Sequence, residues 1–196
     1  MEIEAIIFDV DGVLIDSFES WYNSFNQTLE KYGKKPVDKE TYREIFWGPS
    51  VEEDLERYNL GKDAVLLTLE NQRNSVHLIK LHDKVYDTLE ALKDYKLGVA
   101  TNTHRVNLEK IFSHFDLFQY FDVIMCLDDV QNPKPHPDML LKASEKLKVP
   151  IEKVLFVGDT KYDMAAAKGA GCQFIGVKIG DKKIDGIKDL LPILYS

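Results

Sequence analysis

The sequence contains little cysteine and no long apolar run, and each shortage excludes a class of protein. Two cysteines in 196 residues are too few for a disulfide framework, and both lie in apolar surroundings typical of buried, inert thiols. No apolar stretch approaches the roughly 18 residues of a membrane span, and residues 1–4 lack the basic and apolar regions of a signal peptide. The sequence therefore predicts a cytoplasmic protein without a membrane partner.

Basic residues are also in deficit. The chain has 25 Lys and Arg against 33 Asp and Glu, a formal net charge of −8. This balance argues against nucleic acid as a partner, because phosphate contacts along nucleic acid need clustered Lys and Arg. The sequence has no GxxxxGK(S/T) phosphate loop and no complete dinucleotide fingerprint. With 44% hydrophobic residues, it has enough apolar side chains for one domain, or one core with a modest second lobe.

Short apolar runs alternate with helical patterns along most of the chain. The runs are typical of strands buried on both faces, and they lie at residues 5–8, 97–100, 123–126, 154–157 and 174–177. The spacing of apolar residues predicts helices within residues 85–92, 108–112, 137–147 and 163–168, with Gly169 as the cap of the last. Strands that alternate with helices predict an α/β fold with a doubly wound, Rossmann-like parallel sheet.

One segment breaks this alternation. Residues 16–82 contain helix signals and no buried strand: an apolar face from Phe18 to Leu29, a capping box at Ser50-Val51-Glu52-Glu53, and a third helical pattern over 64–77. We therefore expect a small, all-helical cap domain over residues 16–82, inserted after the first strand. The core domain then comprises residues 1–15 and 83–196.

Carboxylates follow two of the predicted strands. Asp9 and Asp11 come after the first strand, and Asp159 and Asp163 come after the strand at 154–157. Ligands of open α/β sheets bind beyond the carboxyl ends of the strands, so these side chains are expected at one edge. Four carboxylates there would repel one another without a cation, and oxygen ligands suit Mg²⁺. The alternative is an acidic turn at the first pair and helix N-caps at the second.

Groups suited to an anion follow the other strands. Thr101 and Asn102 end the strand at 97–100, where a hydroxyl, an amide and backbone N–H groups can bind an anion. Lys134 lies among prolines that stiffen the backbone, which favours a fixed phosphate clamp. The alternatives are an ordinary N-cap at Thr101-Asn102 and a solvated lysine at 134. His136, at the entry to the next helix, is interpreted as structural.

Together these segments resemble a known family. Asp9-Val10-Asp11-Gly12-Val13, Thr101-Asn102, Lys134-Pro135 and Gly158-Asp159-x-x-x-Asp163 resemble the four motifs of the haloacid dehalogenase-like (HAD) hydrolase superfamily, in its order and spacing. The resemblance covers essentially the whole chain, and it is closest to the phosphoglycolate phosphatase and β-phosphoglucomutase branch. It implies a Mg²⁺-dependent phosphatase of a small phosphorylated metabolite. Dehalogenases of the family need no general acid at the second aspartate, so Asp11 argues against dehalogenation.

The resemblance also implies a role for each motif residue. Asp9 is the nucleophile that forms an aspartyl-phosphate, and Asp11 is the general acid and base. The Asp9 carboxylate, the Asp11 carbonyl and Asp159 bind Mg²⁺, while Asp163 orients the metal's waters or Lys134 without binding the metal directly. The residues implied to hold the transferring phosphoryl group are Thr101, Asn102 and Lys134.

Several alternatives stay open at this point. A sugar phosphomutase would use the same aspartates and cap, and a phospho-aspartate signalling module would carry its phosphorylated residue at Asp128-Asp129. A catalytically idle binding module is a third alternative. The aromatic residues Phe18, Trp21 and Trp47 could line the substrate entrance or form the core of the cap, and Arg43 and Arg57 could reach a substrate carboxylate or form surface ion pairs. The sequence specifies neither the substrate nor whether the protein is a monomer or a dimer.

Overall fold

The fold is built on a six-stranded parallel sheet. The computed structural model describes residues 2–195, so Met1 and Ser196 of the predicted core lie outside the described residues. The strands are β1 (Ala5–Phe8), β2 (Ile15–Asp16), β3 (Lys80–Leu81), β4 (Lys96–Ala100), β5 (Val123–Met125), β6 (Val154–Gly158), β7 (Gln173–Val177) and β8 (Lys183–Ile184). The sheet has the order β5-β4-β1-β6-β7-β8, and every pairing in it is parallel.

Helices connect these strands. They are α1 (Phe18–Lys31), α2 (Lys39–Thr41), which continues into a π-helix at Tyr42–Phe46, α3 (Val51–Glu56), α4 (Lys62–Asn74), α5 (Val85–Ala91), α6 (Arg105–His114), α7 (Asp138–Leu147), α8 (Lys161–Ala170) and α9 (Leu190–Leu194). Among residues 2–195, no helix combines the length and the apolar character that crossing a membrane requires.

The sheet is covered on both faces, because successive residues of a strand point to opposite sides. In β1, Ile6 and Phe8 pack into a cluster with α5, α6 and α9, whereas Ala5 and Ile7 pack into a cluster with α7 and α8. These β1 side chains are fully buried. The predicted α/β fold with a doubly wound parallel sheet is therefore confirmed.

Residues 18–78, which we call the helical insertion, have a hydrophobic cluster of their own. It contains Phe18, Trp21, Phe25 and Leu29 on α1, which explains the apolar face in the sequence. α1 packs against α4, where the Thr68 hydroxyl donates to Thr28 Oγ1 at 2.8 Å. At the base of the insertion, β2 and β3 form a two-stranded antiparallel ribbon where the chain leaves and re-enters the core.

The ends of α8 differ from the prediction. The helix begins at Lys161, because Thr160 is the N-cap and accepts a hydrogen bond from the Asp163 amide. It ends before Gly171, whose φ of +80° suits a left-handed cap. The prediction that Gly169 caps this helix is wrong, since Gly169 lies inside the helix and faces Pro137.

Candidate active site

The acidic side chains converge where β1 and β6 end. These neighbouring strands lie on either side of the point where the strand order reverses, and such points are where α/β sheets bind ligands. Carboxylate oxygens of Asp9, Asp159 and Asp163 lie within 4.8 Å of one another. The geometry thus places the first and fourth motifs side by side.

Two glycines make this crowding possible. Gly12 has a φ of +80°, and a Cβ at this position would lie 2.0 Å from Asp159 Oδ2. A Cβ on Gly158 would lie 2.4 Å from the Asp163 Cβ. Both positions therefore need a residue without a side chain, because the carboxylates approach the backbone closely.

Lys134 lies at the centre of the acidic group. Its Nζ is 2.6 Å from Asp163 Oδ1 and 2.9 Å from Asp9 Oδ1, and it donates to the Ala100 carbonyl at 3.0 Å. Its side chain is only 3% exposed, so the interpretation as a solvated lysine does not apply. Burial opposes the charge of Lys134, but the carboxylates of Asp163 and Asp9 raise its pKa above the ordinary value.

One lysine does not neutralise this group of carboxylates. Burial raises the pKa of Asp9 well above its usual range, although Lys134 opposes the shift. Burial, with a further contribution from Asp163, raises the pKa of Asp159 to about 7. Asp159 Oδ1 is buried and has no hydrogen-bond partner among residues 2–195. An orphaned carboxylate oxygen in an all-oxygen group fits a hard divalent cation such as Mg²⁺.

The Asp11 carboxylate is separate from this group. It accepts hydrogen bonds from the Trp21 indole at 2.9 Å, from the Thr103 hydroxyl at 2.6 Å, and from Ser17. Sequence reasoning missed Thr103 and Ser17, although Thr103 directly follows the Thr101-Asn102 motif. These donors fix the carboxylate beside the cavity described below.

The side chain of Asn102 organises the backbone around Lys134. Its Nδ2 donates to the carbonyl of Lys134 at 2.9 Å and to that of Gly48 at 3.0 Å, and its Oδ1 accepts from the Lys134 amide. Thr101 Oγ1 accepts a hydrogen bond from the Thr103 amide. Asn102 therefore connects the loop that carries Lys134 in the core to Gly48 in the helical insertion.

A cavity of about 60 Å³ lies between the core and the helical insertion. Trp21 and Trp47 line it, and the Trp47 indole donates to Asp159 Oδ2 at 3.0 Å. Phe18 and Trp21 both belong to the hydrophobic cluster of the insertion, and Phe18 does not line the cavity. The residues that line the cavity are Asp9, Asp11, Trp21, Tyr42, Phe46, Trp47, Gly48, Pro49, Val51, Asp54, Thr101, Asn102, Thr103, Lys134 and Thr160.

Other candidates from the sequence lie away from this cavity. His136 is exposed, and neither Arg43 nor Arg57 lines the cavity. Asp128 accepts from the Arg105 amide, and Asp129 forms an ion pair with the Arg105 side chain. These two aspartates are therefore engaged at the start of α6.

A histidine connects the insertion to the core at the rim of the site. His104 Nε2 is 2.7 Å from Glu52 Oε1, and its Nδ1 is 3.3 Å from Asp128 Oδ1. The hydrogen bond with Glu52 is the main cause that raises the pKa of His104. Because the pKa is raised in the folded state, this contribution to stability is fully present below about pH 6.5 and is lost as the pH rises through the higher folded value.

We expect the stability advantage of the wild type over His104→Gln to shrink as the pH rises from 6 to 9. It should be about 1 kcal/mol or less at pH 6, because Glu52 is half-exposed and solvent screens the pair. Urea unfolding at several pH values measures the advantage, and His77→Gln is the control. An advantage that stays constant or grows with pH would contradict this assignment.

Comparison with known proteins shows that the chain is similar to hydrolases in both sequence and structure. The family model for haloacid dehalogenase-like hydrolases matches residues 6–177. Pyrophosphatase PpaX of Bacillus mycoides is 33% identical over 211 residues, covering 99% of this chain and 98% of the relative. A HAD-superfamily hydrolase of subfamily IA from Geobacter sulfurreducens has a TM-score of 0.82 and 29% identity, covering 98% of this chain and 100% of that chain. CbbY from Rhodobacter sphaeroides, solved in complex with phosphate, has a TM-score of 0.84 and 29% identity, with 96% of each chain covered.

Proposed function

Because this chain belongs to the haloacid dehalogenase-like hydrolase family and is a phosphatase of that family, we propose that it hydrolyses a small phosphorylated metabolite through an aspartyl-phosphate intermediate. The family prediction from the four motifs is confirmed. The observation that carries the finer proposal is the burial of Lys134 between Asp9 and Asp163, next to a cavity that Thr101 also lines. A cytoplasmic location stays a prediction from the sequence.

In the first step, a carboxylate oxygen of Asp9 attacks phosphorus. The new bond joins this oxygen to phosphorus, and the bond to the leaving oxygen breaks with its electron pair. Asp11, fixed by Trp21 and Thr103, donates its proton to that leaving oxygen. The products are the free alcohol and the aspartyl-phosphate on Asp9.

In the second step, water replaces Asp9 on phosphorus. Asp11, now a carboxylate, accepts a proton from the attacking water, and the phosphorus–oxygen bond to Asp9 breaks. Inorganic phosphate leaves, and both aspartates return to their starting protonation states. The same carboxyl therefore acts as an acid in one step and as a base in the other, and its fixed position beside the cavity suits both tasks.

Lys134 and the carboxylates around it prepare the site for an anion. The Nζ of Lys134 holds Asp9 in place and offers positive charge to the transferring phosphoryl group, together with the Thr101 hydroxyl. Asp9, Asp159 and the backbone carbonyl of Asp11 are the ligands we assign to Mg²⁺, with Asp163 holding Lys134. When bound, Mg²⁺ neutralises charge between nucleophile and phosphoryl oxygens. We further propose that the helical insertion, residues 18–78, acts as a cap that excludes water during the first step.

Metal removal should abolish activity reversibly. We expect phosphate release from p-nitrophenyl phosphate to fall at least about 100-fold in EDTA, because the carboxylates then repel the anionic substrate, and to recover when excess Mg²⁺ is added. A colorimetric phosphate assay measures this, with Ca²⁺ as a control for nonspecific ionic effects. Full activity in EDTA would contradict the assigned metal ligands.

A panel of substrates tests the phosphatase proposal itself. It should contain sugar and polyol monophosphates, phosphoglycolate, a sugar bisphosphate and inorganic pyrophosphate, because the relatives include proteins named pyrophosphatase. Phosphate release from at least one of them supports the proposal. No release from any compound by a folded protein would contradict it, and isomerisation of a sugar phosphate without release would favour a phosphomutase.

A further inference from the structure

One acidic residue in the cavity has no task in these steps. Asp54, on α3, lines the cavity and is only 4% exposed. Its Oδ1 is buried without a hydrogen-bond partner among residues 2–195. A buried polar atom without a partner costs free energy, so natural proteins rarely leave one unsatisfied. A bound ligand would supply the missing partner.

Burial favours the protonated form of the Asp54 carboxyl over its charged form. Burial raises its pKa to about 9, against the opposing effect of Arg57. A protonated carboxyl offers one O–H donor and an acceptor oxygen, which is the pattern that complements a hydroxyl group. Tyr42 lines the same cavity, and its pKa is raised by burial and further by Asp54, so its hydroxyl is also uncharged.

Positive charge in the cavity lies at Lys134, where we place the transferring phosphoryl group. Among the described residues that line it, Lys134 is the only cation, and Lys134 is already paired with two carboxylates. The guanidinium of Arg43 lies 4.0 Å from the Phe18 ring centroid, outside the cavity. A second phosphate or a carboxylate on the substrate would thus be desolvated without a cationic partner, which is costly.

We propose that Asp54 and Tyr42 recognise an uncharged, hydroxyl-bearing leaving group, so that the substrate is the monophosphate of a small polyol or sugar. Diphosphates, bisphosphates and phosphate esters that carry a carboxylate are excluded as good substrates. This inference rests on the proposed phosphatase function and names its substrate class. It also predicts a substrate that differs from the one the name pyrophosphatase implies for relatives that are 33% identical to this chain.

The wild-type enzyme provides the first test. With Mg²⁺ present, kcat/KM for polyol and sugar monophosphates such as glycerol 3-phosphate should exceed that for pyrophosphate, phosphoglycolate and a sugar bisphosphate by at least about tenfold. Faster turnover of any of those three than of every polyol or sugar monophosphate would overturn the inference. That outcome would leave the phosphatase proposal intact, whereas no release from any compound would contradict the phosphatase proposal.

Variants of Asp54 provide the second test. Asp54→Leu should raise KM for the preferred monophosphate and lower kcat/KM about tenfold, because a polar ligand group then loses its partner. Asp54→Asn keeps an uncharged donor and acceptor and should retain the substrate ranking. Asp54→Arg should shift the ranking toward pyrophosphate and phosphoglycolate.

The exposed neighbour Glu53 offers a matched control, since Glu53→Gln also changes an acidic residue of α3 but lies outside the cavity. Circular dichroism verifies that each variant is folded. If Asp54→Leu and Asp54→Arg left the ratio between neutral and anionic leaving groups unchanged, Asp54 would have a purely structural role and the inference would fail.

Discussion

Asp9→Asn should reduce phosphate release by about 10⁴-fold or more, with substrate binding largely retained. The amide has the shape of the carboxylate but lacks the anionic oxygen that attacks phosphorus, so the chemical step loses its nucleophile. The substitution should not unfold the protein, because asparagine has nearly the same shape as aspartate and Lys134 keeps its ion pair with Asp163. Steady-state phosphate release and urea unfolding together measure both effects.

Asp94→Asn is the matched control for this experiment. Asp94 is exposed and lies outside the active-site cavity, so the same chemical change there should leave kcat/KM within about twofold of the wild type. An Asp9→Asn enzyme with more than a few per cent of wild-type activity would contradict the nucleophile assignment. Trapping of phosphate on the wild-type chain, but not on the variant, would support it directly.

Lys134→Met should reduce both stability and activity. The substitution removes the cation buried between Asp9 and Asp163, which leaves two carboxylates uncompensated in an environment that excludes water. Breaking a buried ion pair in this way costs about 3–5 kcal/mol. We expect the free energy of unfolding to fall by that amount, and phosphate release to fall by about 100-fold or more because the phosphoryl group loses its fixed positive charge.

The two effects of this substitution can be separated. The double variant Lys134→Met/Asp163→Asn removes one of the uncompensated charges, so it should recover much of the lost stability without recovering activity. Lys146→Met, on the exposed side of α7, is the control and should change the free energy of unfolding by less than about 0.5 kcal/mol. If Lys134→Met were as stable and active as the wild type, Lys134 would not be the centre of the site.

The sequence predicted the sheet because its strands are buried on both faces. Continuous apolar runs such as Ala5–Phe8 have few other interpretations when helical patterns separate them. β8 and the β2–β3 ribbon were missed because each of these strands has two residues, and Lys80, Asp16 and Lys183 are exposed. Periodicity needs several residues to become visible, so pairings this short depend on tertiary contacts.

The residues of the site likewise divide into those that the sequence predicted and those that it did not. The motif residues could be placed at one sheet edge because the carboxyl ends of parallel strands share that edge. Asp54 could not be identified, because Glu52, Glu53 and Asp54 form one acidic run in the first turn of α3 and only the fold buries the third of them. The partners of Asp11 were equally hidden, since Trp21 belongs to the helical insertion and Thr103 lies 92 residues further along the chain.

The indole hydrogen bonds have a consequence for observing the enzyme. The protein contains two tryptophans, and each donates to a carboxylate of the site: Trp21 to Asp11 and Trp47 to Asp159. Both residues belong to the helical insertion, whereas both acceptors belong to the loops that follow β1 and β6. All tryptophan emission of the protein therefore originates at the boundary between the two parts. The enzyme therefore carries an intrinsic fluorescence reporter of cap position and ligand binding, with no tryptophan elsewhere in the chain to contribute to the signal.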